Sequence, residues 1–308
     1  MKQRILITGS SGLVGSALST ALSARGVDVV RLDIRASGPA HGDVRDVERL
    51  RRTMTDVDGV IHLAAVARVA WAERDPALCW STNVDGLRNV LDTAAESNAR
   101  PWVVFASSRE VYGQPGRLPI SEDCALRPIN VYGRSKVEGE RLMEAARRSG
   151  VRGCTIRLSN VFGSVLDHPD RVVPAFARAA AFGEELRVEG AERTFDFTHV
   201  DDVVRGFIAL SAWLDAGHAD LSPLHFVSGV PTTLGQLADM AIRIARTRSS
   251  VCIAPPRDFD VTKFVGDPAK ASTVLDWRTR VDLEEGLTRL VHEFRTGARA
   301  VRTQESAS

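Results

Sequence analysis

Apolar runs of strand length alternate with helical stretches through the first half of this chain, and a glycine-rich turn opens the series. The runs fall at Arg4–Thr8, Asp28–Leu32, Gly59–Leu63, Trp102–Ala106 and Cys154–Leu158. Few folds accept such a pattern. Parallel neighbours need a long crossover, and the crossover packs back on the sheet with one hand only. The pattern therefore predicts an α/β fold with a doubly wound parallel sheet. After about residue 165 it loosens into helices near 171–182, 201–214, 233–246 and 282–295, with a short strand at Leu186–Val188. The run Leu224-His225-Phe226-Val227 reads as a strand that returns to the main sheet. The expected division is a nucleotide-binding domain over 1–165 and a smaller interleaved C-terminal domain over 166–295. The tail, 296–308, has little apolar periodicity and is expected to be disordered.

Bulk properties exclude several classes. Over 308 residues the net charge is +1, so no broad electrostatic case exists for nucleic acid or a membrane surface. No stretch approaches the length of a membrane-spanning helix. The start, MKQRILITG, enters a strand directly with no signal-peptide pattern. Cys79, Cys124, Cys154 and Cys252 lie far apart with no CxxC, which argues against zinc or a disulfide framework. A metal-free, cytoplasmic protein is expected.

The turn is ILITGSSGLVGSAL, with Gly9, Gly12 and Gly15 between a strand and an apolar helix. Such a turn brings backbone N–H groups, here around Ser11, Leu13 and Val14, close to a pyrophosphate at a helix N-terminus. The spacing is looser than G-x-G-x-x-G, and glycines alone would be weak evidence. Asp33, closing the next strand in VVRLDIR, strengthens the case. A carboxylate there accepts from both ribose hydroxyls and repels a 2′-phosphate, which favours NAD, although Arg35 nearby leaves NADP as an alternative. Asp43 in Gly42-Asp43-Val44 is either a residue of N-cap type or a partner of the adenine amino group. Leu63, Ala64 and Ala65 are small enough at their backbone to approach a dinucleotide closely, while His62 reads as a core histidine.

The reacting end is NVYGRSKVEGERL. Tyr132 and Lys136 are four apart on a predicted helix and share a face. A lysine ammonium, with a cationic nicotinamide ring, would favour the phenolate and lower its pKa from about 10. The plainer reading is an ordinary surface Tyr/Lys pair. Only four of the 40 basic residues are lysine, so a lysine at this spacing stands out against the arginine background and argues for the paired reading.

Taken together, TGSSGLVG, Asp33, HLAA, Asn83-Val84-Asp85-Gly86, ASSREVYG, Tyr132-Gly-Arg-Ser-Lys136 and RLSNVFG resemble the extended short-chain dehydrogenase/reductases. More narrowly, they are similar to the NAD-dependent nucleotide-sugar epimerase/dehydratase group over roughly residues 4 to 290. The resemblance implies a Rossmann domain, a small domain that clasps a nucleoside-diphosphate sugar, and a homodimer built on paired helices. It implies Ser108 on the sugar hydroxyl, Tyr132 as base and Lys136 as its orienter, with hydride passing to NAD to leave a 4-keto sugar. Asn160 would contact the diphosphate; read alone, it has an alternative as a turn former at a strand end. The family arginine before Asp-Phe is replaced by Phe195, with Arg193 two residues early, and Arg257 keeps the spacing of a second phosphate arginine.

Glu110 and Arg109 divide the possible reactions. By resemblance, Glu110 matches the base of the 4,6-dehydratases and of the decarboxylases. Arg109 does not match the dehydratase acid, because a guanidinium keeps its proton at useful pH. On an extended strand Ser108 and Glu110 would share a face and Arg109 would point away. Arg109 is then an ion-pair partner, or, if the backbone twists, a ligand for a substrate carboxylate. Elimination thus lacks half its machinery, and C4 epimerisation is the favoured reading over dehydration or decarboxylation. A dinucleotide sensor would not need the intact Tyr-x-x-x-Lys, and a net dehydrogenase would need free cofactor exchange.

Overall fold

A computed structural model describes residues 3–218, 221, 223–255 and 261–305. Five strands arise where the apolar runs predict them: β1 (Arg4–Thr8), β2 (Asp28–Leu32), β3 (Gly59–His62), β4 (Trp102–Ser108) and β5 (Gly153–Leu158). They pair in parallel, in the order β2-β1-β3-β4-β5. After the short β6 (Asn160–Phe162), β7 (Leu186–Glu189) and β8 (Thr194–His199), the chain returns through β9 (Leu224–Phe226) as a sixth parallel strand beside β5. Beyond β2 the sheet tapers to a single parallel bridge between Asp33 and His41.

Strands covered on both faces must be apolar on both, which is why these runs are continuous rather than alternating. One face of the sheet is covered by α1 (Leu13–Ala24) and by a long helix after β8, and the buried cluster there includes Leu18, Leu22, Trp102, Phe207 and Phe226. The opposite face packs Leu6, Val60, Val103 and Phe105 against α2 (Val47–Thr53) and against Leu87, Val90 and Met143 of later helices. The chain between β3 and β4 contains α3 (Val69–Arg74), α4 (Pro76–Trp80), a π-helical turn over Ser81–Asp85 and α5 (Gly86–Glu96). Between β4 and β5 runs α6 (Val131–Arg148).

A separate core lies below the carboxyl ends of the strands. It gathers α7 (Val172–Phe182), β7, β8 and, after α8 (Val200–Asp215) and β10 (Pro231–Thr233), α9 (Leu234–Ala245). Val111, Tyr112, Ile120 and Val137 of the first half join this core, so the two halves interlock. β8 pairs with β6 and β10 in a three-stranded sheet, and β11 (Val251–Ala254) pairs with β7. After α10 (Ala269–Leu275), α11 runs from Leu283 to Glu305. Its backbone is therefore helical past residue 296, into the tail for which no regular structure is expected from sequence. Charged side chains leave that segment without an apolar stripe, but they do not forbid a helix that continues an anchored one.

Candidate active site

The site sits where β1, β3 and β4 end, at the crevice that the crossing order of the sheet creates. At the nucleotide end, Gly9 holds φ at +69°, and a Cβ on it would lie 2.7 Å from Ala64 N and Leu63 C. A Cβ on Gly15 would lie 2.2 Å from Gly9 O. The glycine turn is thus pressed against Leu63 and Ala64, with Ala65 next in the chain, leaving the backbone bare where a pyrophosphate would approach. Ser11, Gly12, Leu13 and Val14 form the turn and the first residues of α1, with Gly12 at its N-cap. Asp33 is buried; its carboxylate accepts from Ser11 N at 2.9 Å and from Arg35 N at 2.7 Å. A carboxylate has about four lone-pair positions, so two remain for a pair of ribose hydroxyls. The cradle fits a dinucleotide with an unphosphorylated adenosine ribose.

Asp43 is placed differently from one of its two expected roles. The N-cap of α2 is Asp46, which accepts from Arg49 N at 2.9 Å. Asp43 instead grips Arg45, with Nη2 to Oδ2 at 2.6 Å, and that bond holds its carboxyl below the usual range. Val44 beside it is buried against Gly86. His62 is fully buried, with Nδ1 2.9 Å from the Thr8 hydroxyl, and burial pushes it down to about 3. It is a neutral core histidine.

At the reacting end, Ser108 closes β4 and Tyr132 opens α6. The Ser108 hydroxyl lies near enough to the Tyr132 phenol to oppose the upward shift of its pKa, and accepts from Glu110 N at 3.3 Å. Lys136, one turn on, is buried. Its Nζ donates to Ala106 O at 2.8 Å and lies 5.7 Å from the Tyr132 ring centroid. Ser108, Tyr132 and Lys136 therefore converge, as the four-residue spacing requires. The electrostatics differ from the sequence expectation. Burial pushes Tyr132 up to about 12 and Lys136 down to about 8, because a buried site disfavours either charge alone. The lowered phenol pKa expected from Lys136 is not reached by the protein's own groups.

Glu110 also differs. After Ser108 the chain turns into a 3-10 helix over Arg109–Tyr112, so the alternation of an extended strand is lost. Arg109 does not point away from Glu110: its Nη2 lies 3.0 Å from Glu110 Oε1. The other carboxylate oxygen of Glu110 accepts from Asn130 Nδ2 at 2.8 Å. Asn130 in turn caps α6, its Oδ1 accepting from Gly133 N at 2.7 Å. One carboxylate thus ties the end of β4 to the helix that carries Tyr132. Asn130 was not singled out from sequence, although an Asn directly before a helical pattern is the ordinary signal of a cap.

Two further residues gain a role here: Asn83, met in the sequence only as part of a motif, and Arg171. Asn83 is fully buried; it accepts from Val66 N at 2.8 Å and donates to Ser135 Oγ at 2.9 Å, bracing α6 against the loop after β3. Arg171, at the N-cap of α7, places positive charge near Tyr132 and opposes the upward shift of its pKa. No sequence signal marks Arg171, since the contact depends on how the two halves fold together. Asn160 begins β6, opposite Phe197 of β8. Arg193 is buried in the turn before β8, its side chain lying over Gly190. Arg257 lies outside the described residues.

Known proteins are similar to this chain in sequence and fold. A UDP-glucose 4-epimerase of Mycolicibacterium smegmatis is 30% identical over 312 residues, covering 95% of this chain and 98% of the relative. The structure of a UDP-glucose 4-epimerase of Thermotoga maritima with UDP-glucose matches with a TM-score of 0.89 at 29% identity, over 96% of this chain and 100% of that one. DesIV, a dTDP-glucose 4,6-dehydratase of Streptomyces venezuelae solved with NAD, matches with a TM-score of 0.87 at 26% identity, over 96% and 97%. Residues 5–222 match the pattern of the NAD dependent epimerase/dehydratase family, and the chain belongs to that family.

Proposed function

We propose that the protein is an NAD-dependent epimerase that inverts C4 of a UDP-sugar through a transient 4-keto sugar. The observation that carries the choice of epimerase is the state of Glu110. Its two carboxylate oxygens are tied to Arg109 and to Asn130, so turning Glu110 toward C5 would break the link that joins the end of β4 to α6. The neighbouring position holds a guanidinium, which cannot protonate a departing hydroxyl. The epimerase relatives agree with this reading.

Gly9, Ser11, Gly12 and Gly15 would hold the pyrophosphate, Asp33 the adenosine ribose, and Lys136 a hydroxyl of the other ribose. NAD, when bound, supplies a reversible hydride acceptor with a positively charged ring. Ser108 orients the C4 hydroxyl and relays its hydrogen bond to Tyr132. Tyr132 takes the proton from that oxygen as the C4–H bond is broken, and returns it once the keto sugar has turned over. The ammonium of Lys136 steadies the phenolate. Asn160 and the arginines Arg193 and Arg257 are proposed for the diphosphate.

The four cysteines are free, which suits the reducing cytoplasm where NAD and nucleotide sugars are supplied. Among the described residues no helix is long and apolar enough to cross a membrane. A homodimer through α5 and α6 is proposed on family likeness.

The test is incubation of the NAD-loaded protein with UDP-glucose. The reading expects a mixture of the two C4 epimers with no accumulation of free NADH. Stoichiometric NADH, or a product that has lost water, would overturn it.

A further inference from the structure

Three successive residues at the end of β4 meet α6, and one of the three contacts stands outside the proposed chemistry. Ser108 lies beside Tyr132, and the carbonyl of Ala106 accepts from Lys136 Nζ at 2.8 Å. Ser107, between them, donates to Glu140 Oε1 at 2.6 Å. Tyr132, Lys136 and Glu140 follow one another at four-residue intervals and form one stripe of the helix. The stripe sits close to the strand, since a Cβ on Gly139 would lie 2.5 Å from Phe105 Cζ. Glu140 is thus a buried carboxylate one turn from a buried ammonium.

Lys136 steadies a phenolate only while it carries its proton, and burial works against that, pushing it down to about 8. The groups around it differ in what they offer. The Ala106 carbonyl is neutral, the centre of the Phe105 ring lies 4.8 Å from Nζ, and His62 on β3 is a neutral core histidine. The Cys79 thiol on α4 would help as a thiolate, but burial raises its pKa and keeps it protonated. Tyr132 is likewise neutral until it takes a proton from the substrate. Glu140 is left as the fixed negative charge that acts on Lys136. It is held in place by Arg157 on β5, whose Nε donates to Oε1 at 2.9 Å and Nη2 to Oε2 at 2.7 Å. Arg157 is fixed in turn by the Tyr112 hydroxyl and the Glu122 carbonyl, each 2.6 Å from its Nη1.

We propose, on the basis of the epimerase reading above, that Glu140 is a positioning residue: anchored by Ser107 and Arg157, it holds the proton on Lys136 and so maintains the ammonium that steadies the Tyr132 phenolate. In this role Glu140 acts through Lys136 and needs no contact with sugar or cofactor.

The experiment reads the proton on Lys136 directly. Lysine occurs four times in the chain, as Lys2, Lys136, Lys263 and Lys270, so carbon-13 labelling at the lysine ε carbon gives four signals. Lys136→Met assigns the one needed. The NAD-loaded protein would be titrated with pH by NMR, wild type beside Glu140→Gln and Ser107→Ala. Glu140→Gln keeps an acceptor for Ser107 and removes the charge, so proton affinity at Lys136 is expected to fall roughly tenfold or more. The midpoint moves to lower pH, because losing a nearby negative charge disfavours the ammonium. Ser107→Ala loses a hydrogen bond at the same joint but no charge, and should change that affinity less than about twofold. With UDP-glucose, the alkaline limb of kcat in Glu140→Gln should move down with the midpoint while KM holds. Glu140→Asp, which keeps the charge, should restore part of both. A folded Glu140→Gln with the wild-type midpoint would overturn the proposal and leave the epimerase reading standing. Equal shifts in Glu140→Gln and Ser107→Ala would overturn it too, as the mark of a merely structural joint. If the single variant does not fold, adding Arg157→Met removes the orphaned cation, and the same midpoint decides. A wild type that epimerises no UDP-sugar ends the epimerase reading, and the role of Glu140 in the reaction falls with it.

Discussion

Tyr132 and Lys136 share a face of α6, and burial shifts each toward its neutral form, Tyr132 up to about 12 and Lys136 down to about 8. Burial costs either ion several kcal/mol alone and much less as a pair, so the two are expected to act together. Replacing Tyr132 by Phe removes the proton acceptor without altering the glycine cradle. Turnover is expected to fall roughly 100- to 10,000-fold with NAD affinity unchanged, as single-turnover kinetics and fluorescence titration would show. Near-normal turnover would remove the mechanism. Glu110→Gln tests the neighbouring carboxylate. With its charge gone, Arg109 loses its partner, and stability is expected to drop by about 2–3 kcal/mol in urea unfolding. Epimerisation should stay within roughly tenfold of wild type, because general acid–base roles usually contribute more than that. Abolished turnover in a folded variant would make Glu110 the working base.

At the scale of elements, what fixes the site is the join between β4 and α6. Below it, Arg157 and Glu140 form a buried pair at 2.7 Å, and Ser107 donates to Glu140 at 2.6 Å, pinning α6 to β4 and β5. Above it, Asn130 caps the helix and holds Glu110 at once. Asn130→Ala should lose a cap worth about 1 kcal/mol and leave a buried carboxylate oxygen unmet, for about 2–3 kcal/mol in all. A loss well under 1 kcal/mol on urea unfolding would mean that the link is idle. Elements of this kind mark the limit of what the chain's pattern discloses. The strands, the glycine turn and the Tyr132/Lys136 face were readable because each follows from a local period or spacing. The place of Asp33 beside the glycine turn was readable because the second strand ends there, next to the turn. The pairing of Glu110 with Arg109 was not, because alternation holds only while the backbone stays extended, and the chain leaves the extended form at Ser108. The Asp43–Arg45 contact was not readable, since a run with acids at 43 and 46 does not say which one meets the helix. Asn83 and Arg171 act across turns of tertiary structure that no spacing encodes.

Across the whole molecule, the interlocking halves bury histidines that the unfolded chain exposes. His225 on β9 is fully buried; its Nε2 lies 2.6 Å from the Tyr112 hydroxyl, and burial followed by the charge of Arg157 pushes it down to about 4. The unfolded chain binds a proton near pH 6.5 that the folded one refuses until about pH 4, so this group favours folding above pH 6.5 and withdraws that support as pH falls between those values. The nearby Glu122, raised by burial, opposes this at the acid end. His225→Gln should therefore flatten the slope of stability between pH 6 and 5, each figure being approximate, by about 1.4 kcal/mol per pH unit. Denaturant midpoints at several pH values would check it, and an unchanged slope would count against a neutral His225.

The most direct test of the central claim follows the hydrogen at C4 and C5. The NAD-loaded protein would be incubated with a UDP-sugar in heavy water, and the products examined by mass spectrometry and proton NMR. The account predicts a product of unchanged mass, inverted at C4 and free of deuterium at every carbon, because the hydrogen leaves and returns inside the site. Loss of water or of carbon dioxide, with deuterium entering the ring or its substituent, would contradict it and make Glu110 the base of a lyase.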